Sequence, residues 1–154
     1  MNQPVMSLEK DINQTSFRNL NQKCMVNIIF TYHWIVERIK QFLATEDITL
    51  QQYNILRILR GSYPRPLSTL QIRERMLDKM SDTSRIVDRL RVKGLVQKSV
   101  ARTDRRLVDV LITDKGKKLL DQLDLHNASL DGIISGLSDE EMQHLNILLD
   151  KIRE

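Results

Sequence analysis

The chain has 154 residues, of which 41% are apolar and 29% are charged, so it is long enough to fold around a substantial core rather than remain disordered. Its single cysteine, Cys24, excludes the internal disulfide framework of a small secreted protein. The first 25 residues lack the apolar run of a signal peptide, and the most apolar stretch, residues 25–43, carries too many polar residues to span a bilayer. We therefore expect a soluble, cytoplasmic protein.

The net charge of +4 is unevenly distributed along the chain. Residues 57–106 contain 14 Lys and Arg against five Asp and Glu, a net charge of +9, which leaves a net charge of −5 for the rest of the chain. A basic middle between acidic ends predicts a polyanionic partner for the middle alone. Charge by itself does not distinguish DNA, RNA and an acidic protein surface, and an ordinary solvated helix face would also carry charge.

Helices are predicted for the first part of the chain. Apolar residues recur at helical spacing from about residue 19 to residue 44, and they occupy more than one face of the predicted helix. A helix of this kind has to be covered on both faces, by its own domain and by another chain. Thr49 is a candidate N-cap for a second helix that ends at Gly61, and prolines mark residues 62–66 as a loop.

A helix-turn-helix is predicted next. Ser68 and Gln71 have the spacing of a capping box that opens a short helix. After a brief turn, Ser81 is the candidate cap of another helix, which ends at Gly94, where glycine can adopt the left-handed conformation. Two short helices joined by a tight turn form the helix-turn-helix unit.

Two strands and two helices complete the prediction. Residues 95–100 and 107–112 have the β-branched content of a two-stranded hairpin, with an exposed basic tip at residues 101–106. Thr113 is the candidate cap of a helix through Leu123 that in its longest form extends to Ile133. Ser138 begins a second capping box, followed by an amphipathic helix to the carboxyl terminus.

The helix after Ser81 has the chemistry of a DNA-contacting helix. One face is apolar, whereas the other carries short hydroxyls and arginines close to the helix amino terminus. The positive end of the helix dipole favours phosphate there, and arginine can bind guanine through two hydrogen bonds. The residues predicted to face outward are Asp82, Ser84, Arg85, Asp88 and Arg89. Ion pairs along a surface helix are the alternative, but they are worth only a few tenths of a kcal/mol each and do not account for the basic surplus.

The predicted hairpin tip is the second candidate DNA contact. An arginine-rich loop on a stiff hairpin can enter a minor groove, where the negative potential is strongest when the groove is narrow. An aspartate between the arginines would hold one of them in a fixed rotamer. The residues concerned are Arg102, Thr103, Asp104, Arg105 and Arg106. An ordinary charged turn is the alternative explanation.

Four motifs along the chain, taken together, resemble the pattern of one protein family. They are Thr49-x-x-Gln52-x-x-Ile55-Leu56, Ile86-Val87-Asp88-Arg89-Leu90-x-x-x-Gly94-Leu95-Val96, Asp104-Arg105-Arg106 and Leu111-x-Thr113-x-x-Gly116. This set resembles the MarR family (multiple-antibiotic-resistance-type regulators) from about Leu20 to the end of the chain. The resemblance implies a mainly α fold with a small β-hairpin wing, the winged helix-turn-helix. It places a DNA-binding lobe at residues 49–113 and a helical dimerisation region at residues 1–48 and 114–154, in one integrated domain.

The resemblance also implies a function. It predicts a homodimeric transcription regulator that binds a pseudo-palindromic operator in double-stranded DNA, a repressor released by a small-molecule ligand, with no cofactor and no catalytic activity. Its DNA-contacting positions correspond to Ser81, Asp82, Ser84, Arg85 and Arg89, and its wing positions to Asp104, Arg105 and Arg106, with an arginine entering the minor groove. Two positions depart from the family pattern: Asp82 replaces a small hydroxyl residue, and Arg73 replaces a small residue packed between the two helices.

Four residues are candidates for an effector site. His33, Trp34, Tyr53 and Arg57 would line a cleft between the dimer helices and the DNA-binding lobe, where family members bind small aromatic or phenolic anions. The alternative is that Trp34 and Tyr53 are ordinary core residues. A metal site is not expected, because the three His and one Cys lack paired ligand spacing, and no enzyme motif is present.

Two further functions remain open from the sequence. A winged-helix module could dock its basic face onto an acidic protein partner. A thiol-based redox regulator is the other alternative, because Cys24 lies near the reactive cysteine of peroxide-sensing family members. Met25 and Val26 follow it in place of the aromatic residues of those members, so Cys24 is also explained as a small buried hydrophobe.

Overall fold

The computed structural model describes residues 7–100 and 108–154, and it divides the chain into two compact units, Met1–Ile39 and Lys40–Glu154. The first unit contains a short helix α1 (Leu8–Asp11) and most of a long helix α2 (Leu20–Leu43), which ends in the second unit. The predicted long helix is therefore confirmed to within one residue at each end. It exposes apolar side chains along its length, among them Leu20, Met25, Ile28, Ile29 and Tyr32.

The second unit contains the predicted helix-turn-helix and hairpin. Its helices are α3 (Leu50–Ser62), α4 (Thr69–Arg75), α5 (Thr83–Val92), α6 (Asp114–Asp124), α7 (Asn127–Asp131) and α8 (Asp139–Ile152). Its strands are β1 (Leu67–Ser68), β2 (Val96–Val100) and β3 (Val108–Ile112). Two short 3₁₀ helices, Ala44–Glu46 and Gly132–Ile134, precede α3 and follow α7.

The strands form a three-stranded antiparallel sheet in the order β1-β3-β2. Val96 pairs with Ile112 and Val100 with Val108, which confirms the predicted hairpin in its described part. The sequence predicted only two strands. The third, β1, pairs Leu67 with Val110, and its two residues are too short to show the alternation that predicts a strand.

The core of the second unit lies between the helix-turn-helix, α3, α6 and the sheet. Its fully buried side chains come from each of these elements: Ile55, Leu56, Leu59, Ile72, Val87, Leu90, Val110, Ile112 and Leu120. The two predicted capping boxes are confirmed at the starts of α4 and α8, and the predicted N-cap Thr49 forms a further capping box at the start of α3. Gly94 adopts the left-handed conformation, with φ of 72°, which ends the α5 segment as predicted.

One predicted helix limit is wrong, and another is confirmed in its shorter form. Asp82 caps α5, not Ser81, because the Ser81 hydroxyl is engaged in the preceding turn, where it donates to Asp78 Oδ2 at 2.6 Å. The helix after Thr113 ends at Asp124, one residue beyond Leu123, and a separate short helix, α7, follows it, so the helix does not continue to Ile133. None of the helices within residues 7–100 and 108–154 combines the length and apolar character needed to cross a membrane.

Candidate nucleic-acid interface

Helix α5 presents the two faces that its sequence predicts. Thr83, Val87 and Leu90 are buried, and the Thr83 hydroxyl donates to the Met76 sulfur at 3.4 Å. The opposite side chains are exposed: Asp82, Ser84, Arg85, Asp88 and Arg89. Ser81, just before the helix, is half-buried. The core therefore fixes the rotation of α5 so that its polar face points to solvent.

Asp82 caps the amino terminus of α5. Its carboxylate accepts the backbone N–H of Arg85 at 3.2 Å and also pairs with Arg85 Nε at 3.1 Å. A carboxylate at a helix amino terminus stabilises the helix and interacts favourably with its dipole. The cap gives a structural reason for the aspartate at this position, where the family commonly has a small hydroxyl residue.

Two basic side chains lie one helical turn apart on the exposed face of α5. Arg85 and Arg89 line a groove of about 320 Å³ together with Asp82, Ile86 and residues at the start of α3. Within the described part of the chain, Arg89 makes no ion pair.

Asp88, beside Arg89 on the same helix, is neutralised by the sheet. Its carboxylate accepts a hydrogen bond from Lys98 Nζ of β2 at 2.8 Å. That hydrogen bond, with the charge of Lys98, holds the pKa of Asp88 below its ordinary value. The pair ties α5 to the wing and offsets one negative charge on the exposed face.

The turn between α4 and α5 is pinned by hydrogen bonds. Asp78 accepts from the backbone N–H of Met80 at 3.0 Å and from the Ser81 hydroxyl, and the Ser81 hydrogen bond is the main reason why the pKa of Asp78 is lowered. Arg73 Nε donates to the carbonyl of Lys79 at 3.2 Å. Arg73 is exposed and bridges to the turn, so it does not need the space between the helices that a small family residue occupies.

The base of the wing is anchored to the end of α5 and the start of α6. The Thr113 hydroxyl donates to the Gly94 carbonyl at 2.7 Å, and Lys115 Nζ donates to the Lys93 carbonyl at 2.8 Å. The predicted tip contacts lie outside the described residues: Arg102, Thr103, Asp104, Arg105 and Arg106. The paired strands β2 and β3 lead directly to that segment from both sides.

The predicted effector residues are distributed over both units. In the first unit, His33 is exposed, and Trp34 is half-buried with the Arg38 guanidinium 3.4 Å from its ring centroid. In the second unit, Arg57 Nε donates to the Tyr53 hydroxyl at 2.8 Å. The assignment of these four residues to an effector site stays a prediction.

Arg57 belongs to a charged cluster that the sequence did not predict. Asp124 of α6 accepts hydrogen bonds from Arg57 Nη2 and from Arg60 Nη1, the latter at 2.7 Å. Partial burial opposes ionisation of Asp124, but the two arginines outweigh it and hold its pKa below the ordinary value. The cluster joins residues 64 and 67 positions apart in sequence, a separation that no local pattern shows.

Cys24 and a metal site are the remaining candidates. Cys24 is exposed on α2 rather than buried, and its redox role stays a prediction. Within residues 7–100 and 108–154, no group of three or more His, Cys, Asp or Glu side chains is arranged to hold a metal ion.

Comparison with known proteins identifies the family. No family model matches the chain. A MarR transcription factor from Planctomyces limnophilus is 31% identical, and its crystal structure superposes with a TM-score of 0.67 over 88% of this chain and 98% of that one. The regulator MhqR of Bacillus subtilis is 27% identical over 131 residues, 84% of this chain and 89% of MhqR. A mutant MarR from E. coli complexed with operator DNA, 19% identical, shares the fold with a TM-score of 0.73, covering 96% of this chain and 99% of that one. The chain therefore belongs to the MarR family and is a DNA-binding transcription regulator with a winged helix-turn-helix fold.

Proposed function

We propose that the chain is a homodimeric repressor that binds a pseudo-palindromic operator through α5 and residues 101–106. The observation that carries this proposal is the exposed face of α5, where Arg85 and Arg89 stand one turn apart while the opposite face is locked in the core. An α-helix fits the width of a major groove, and arginines on such a helix bind guanine edges or phosphates.

The local charges favour a polyanion over a neutral surface. Asp82 and Asp88, the acidic residues on the exposed face, are paired with Arg85 and Lys98 respectively. Their charges are offset within the protein, and Arg89, which has no ion pair among residues 7–100 and 108–154, can bind a phosphate or a base. Residues 101–106 add three arginines and one aspartate to the basic stretch of sequence that contains α5.

The exposed apolar helices support a dimer. Helix α8 buries no side chain in the described chain, although Leu145, Ile147, Leu148 and Ile152 are large and apolar. In the first unit, α2 exposes a second apolar set. Apolar surface of this extent on two helices is typical of a subunit interface. A twofold dimer would present two α5 helices to successive major grooves, so the operator should be an inverted repeat.

Selection from a random duplex library tests the proposal. We expect enrichment of an inverted repeat whose half-sites are centred about 10 base pairs apart or a multiple of that spacing. Absence of any enriched repeat would contradict operator binding and leave the acidic-partner module as the better explanation.

Arg89→Ala tests the contact face on the selected operator. We expect binding to weaken by about 1–3 kcal/mol, and the slope of log affinity against log salt to fall by about 1 if the lost contact is to phosphate. Arg91→Ala is the matched control, because it removes the same charge from an exposed position on the same helix, about 160° away around the axis. Equal losses in the two variants would contradict the assigned face.

We propose that a small aromatic anion acts as effector by competing for Arg57. The guanidinium of Arg57 is held by Asp124 and Tyr53, so an anionic ligand that engages it must displace Asp124 and loosen the contact of α3 with α6. Titration of the operator complex with hydroxybenzoates should release DNA from the wild type and much less from Arg57→Gln. Equal release from both proteins would contradict a role for Arg57.

A further inference from the structure

Two large apolar side chains stand exposed beside the amino terminus of α5. Leu70 of α4 is 62% exposed and Met80 of the turn is 90% exposed. They line the same groove, of about 390 Å³, together with Thr69, Arg73 and residues 81–84. The groove therefore joins the first turn of α4 to the first turn of α5, and an apolar rim borders the polar face of the helix.

Met80 is held outward by the structure of its turn. Its backbone N–H is bound by the Asp78 carboxylate, which also holds Ser81, and the neighbouring Lys79 carbonyl is bound by Arg73. These hydrogen bonds hold the turn on both sides of Met80, whose side chain is exposed. A methionine side chain is unbranched and adapts its shape to an irregular partner surface.

The charges of the groove favour one kind of partner. Arg73 lines the groove, and the charge of Asp82, which also lines it, is offset by its pair with Arg85, whose side chain is 82% exposed. A partner that offers negative charge to Arg73 and small apolar groups to Leu70 and Met80 fits this lining. Duplex DNA meets both requirements, because the thymine 5-methyl is the apolar group on the major-groove edge of the bases. The groove is also continuous with the face of α5 that we assign to DNA.

We infer that Met80 and Leu70 contact thymine 5-methyl groups and so contribute to operator selectivity at positions that the arginines do not contact. This inference rests on the proposed function, since it requires that α5 enters the major groove. The side chains add apolar contact to a site otherwise made of hydrogen bonds and charge. Discrimination arises because only thymine carries a methyl group at this edge.

Deoxyuridine substitution tests the inference. Each thymine of one half-site of the selected operator is replaced in turn by deoxyuridine, which keeps the base pair and its hydrogen-bonding groups but lacks the methyl. We expect the wild type to bind about fourfold more weakly at one or two of these positions, the effect of one buried methyl group. For Met80→Ala, Leu70→Ala or the double variant, we expect the loss to disappear. The thymine duplex and the deoxyuridine duplex should then bind with equal affinity at the sensitive positions.

Leu77→Ala is the matched control for these variants. Leu77 lies on the same turn and is 84% exposed, but it does not line the groove, so its variant should keep the full sensitivity to deoxyuridine. A wild type that is insensitive to deoxyuridine at every position, or an operator without thymine in its half-sites, would overturn the inference. So would variants at Met80 and Leu70 that both keep the wild-type sensitivity. Each of these results leaves operator binding intact, whereas failure of the duplex selection itself would count against the proposed function.

Discussion

Three acidic side chains of the helix-turn-helix hold neighbouring groups in place. Asp78 fixes the turn, Asp82 caps α5, and Asp88 ties α5 to β2. From the sequence, Asp82 was predicted as a DNA-contacting position and Asp88 as an outward-facing residue, with ion pairs along the helix as the alternative. In the structure, their carboxylates are occupied within the protein, so they position the basic residues next to them. We therefore interpret them as supports of the DNA-contacting surface rather than as contacts.

Gly116 is a residue at which any side chain would disturb the wing base. A Cβ built there would lie 2.3 Å from the Leu95 carbonyl oxygen and 2.8 Å from Ile112 Cγ1. We expect Gly116→Ala to destabilise the fold by about 1–3 kcal/mol, because the backbone of Leu95 must move. Thermal unfolding at fixed protein concentration measures the loss. Gly61→Ala in α3 is the control, since no atom lies within 4 Å of its Cβ position, and its stability should be unchanged or slightly raised. Equal stabilities for the two variants would contradict the close packing of Gly116.

At the scale of elements, charged side chains join α3 to α6 in addition to the apolar side chains of the core. Asp124 accepts hydrogen bonds from Arg57 and Arg60, and all three side chains are about 30% exposed. The neighbouring Asp121 lies 3.4 Å from Arg60 and is mostly exposed. The hydrogen bonds of Asp124 with Arg57 and Arg60 should therefore contribute measurably to the free energy of unfolding. The pair of Asp121 with Arg60 should contribute little.

The lowered pKa of Asp124 predicts an acid-dependent loss of stability. Because the folded-state pKa lies below the unfolded value of about 3.9, the contribution of Asp124 is complete above about pH 4 and is lost as the pH falls through the folded-state pKa. We expect Asp124→Asn to be less stable by about 1–2 kcal/mol at pH 7, a value discounted for partial exposure, and to lose less stability than the wild type below pH 4. Melting temperatures measured from pH 7 to pH 3 provide the check. Asp121→Asn is the matched control, and an equally large effect from it would contradict the assignment.

At the scale of the whole molecule, the proposed dimer explains why α8 is amphipathic but buries nothing in a single chain. Leu145 and Leu148 lie on its apolar side, and both remain nearly half exposed. The proposed division into a DNA-binding lobe and a dimerisation region depends on a partner covering this surface. Without one, the chain would display an aggregation-prone stripe.

Replacement of Leu148 by glutamate tests the dimer. We expect Leu148→Glu to sediment as a monomer and to lose tight operator binding, because a carboxylate would be buried in an apolar interface and only one half-site would remain engaged. Gln143→Glu is the control, since it places the same charge at an exposed position of α8 away from the stripe. A Leu148→Glu protein that stays dimeric would argue against α8 as the interface.

Local patterns were sufficient to predict most elements of this chain. The capping boxes, the glycine after α5 and the period of the apolar residues depend on interactions within a few residues, so the sequence alone predicted α3, α4, α5 and the hairpin. The exposed side of α5 followed from the same period. Strand β1 was missed because it consists of two residues and exists only through its pairing with β3.

The contacts that set the chemistry of the site were decided by the tertiary structure. The residues that hold Asp88 and Asp124 lie on other elements, and the amino terminus of α5 depends on whether Asp78 or the helix engages Ser81. Sequence determined which residues are basic and which face of each helix is polar, since both follow from residue type and helical period. Only folding determined which charges are neutralised within the protein and which remain for DNA, because a hydrogen bond between distant residues has no counterpart in a local pattern.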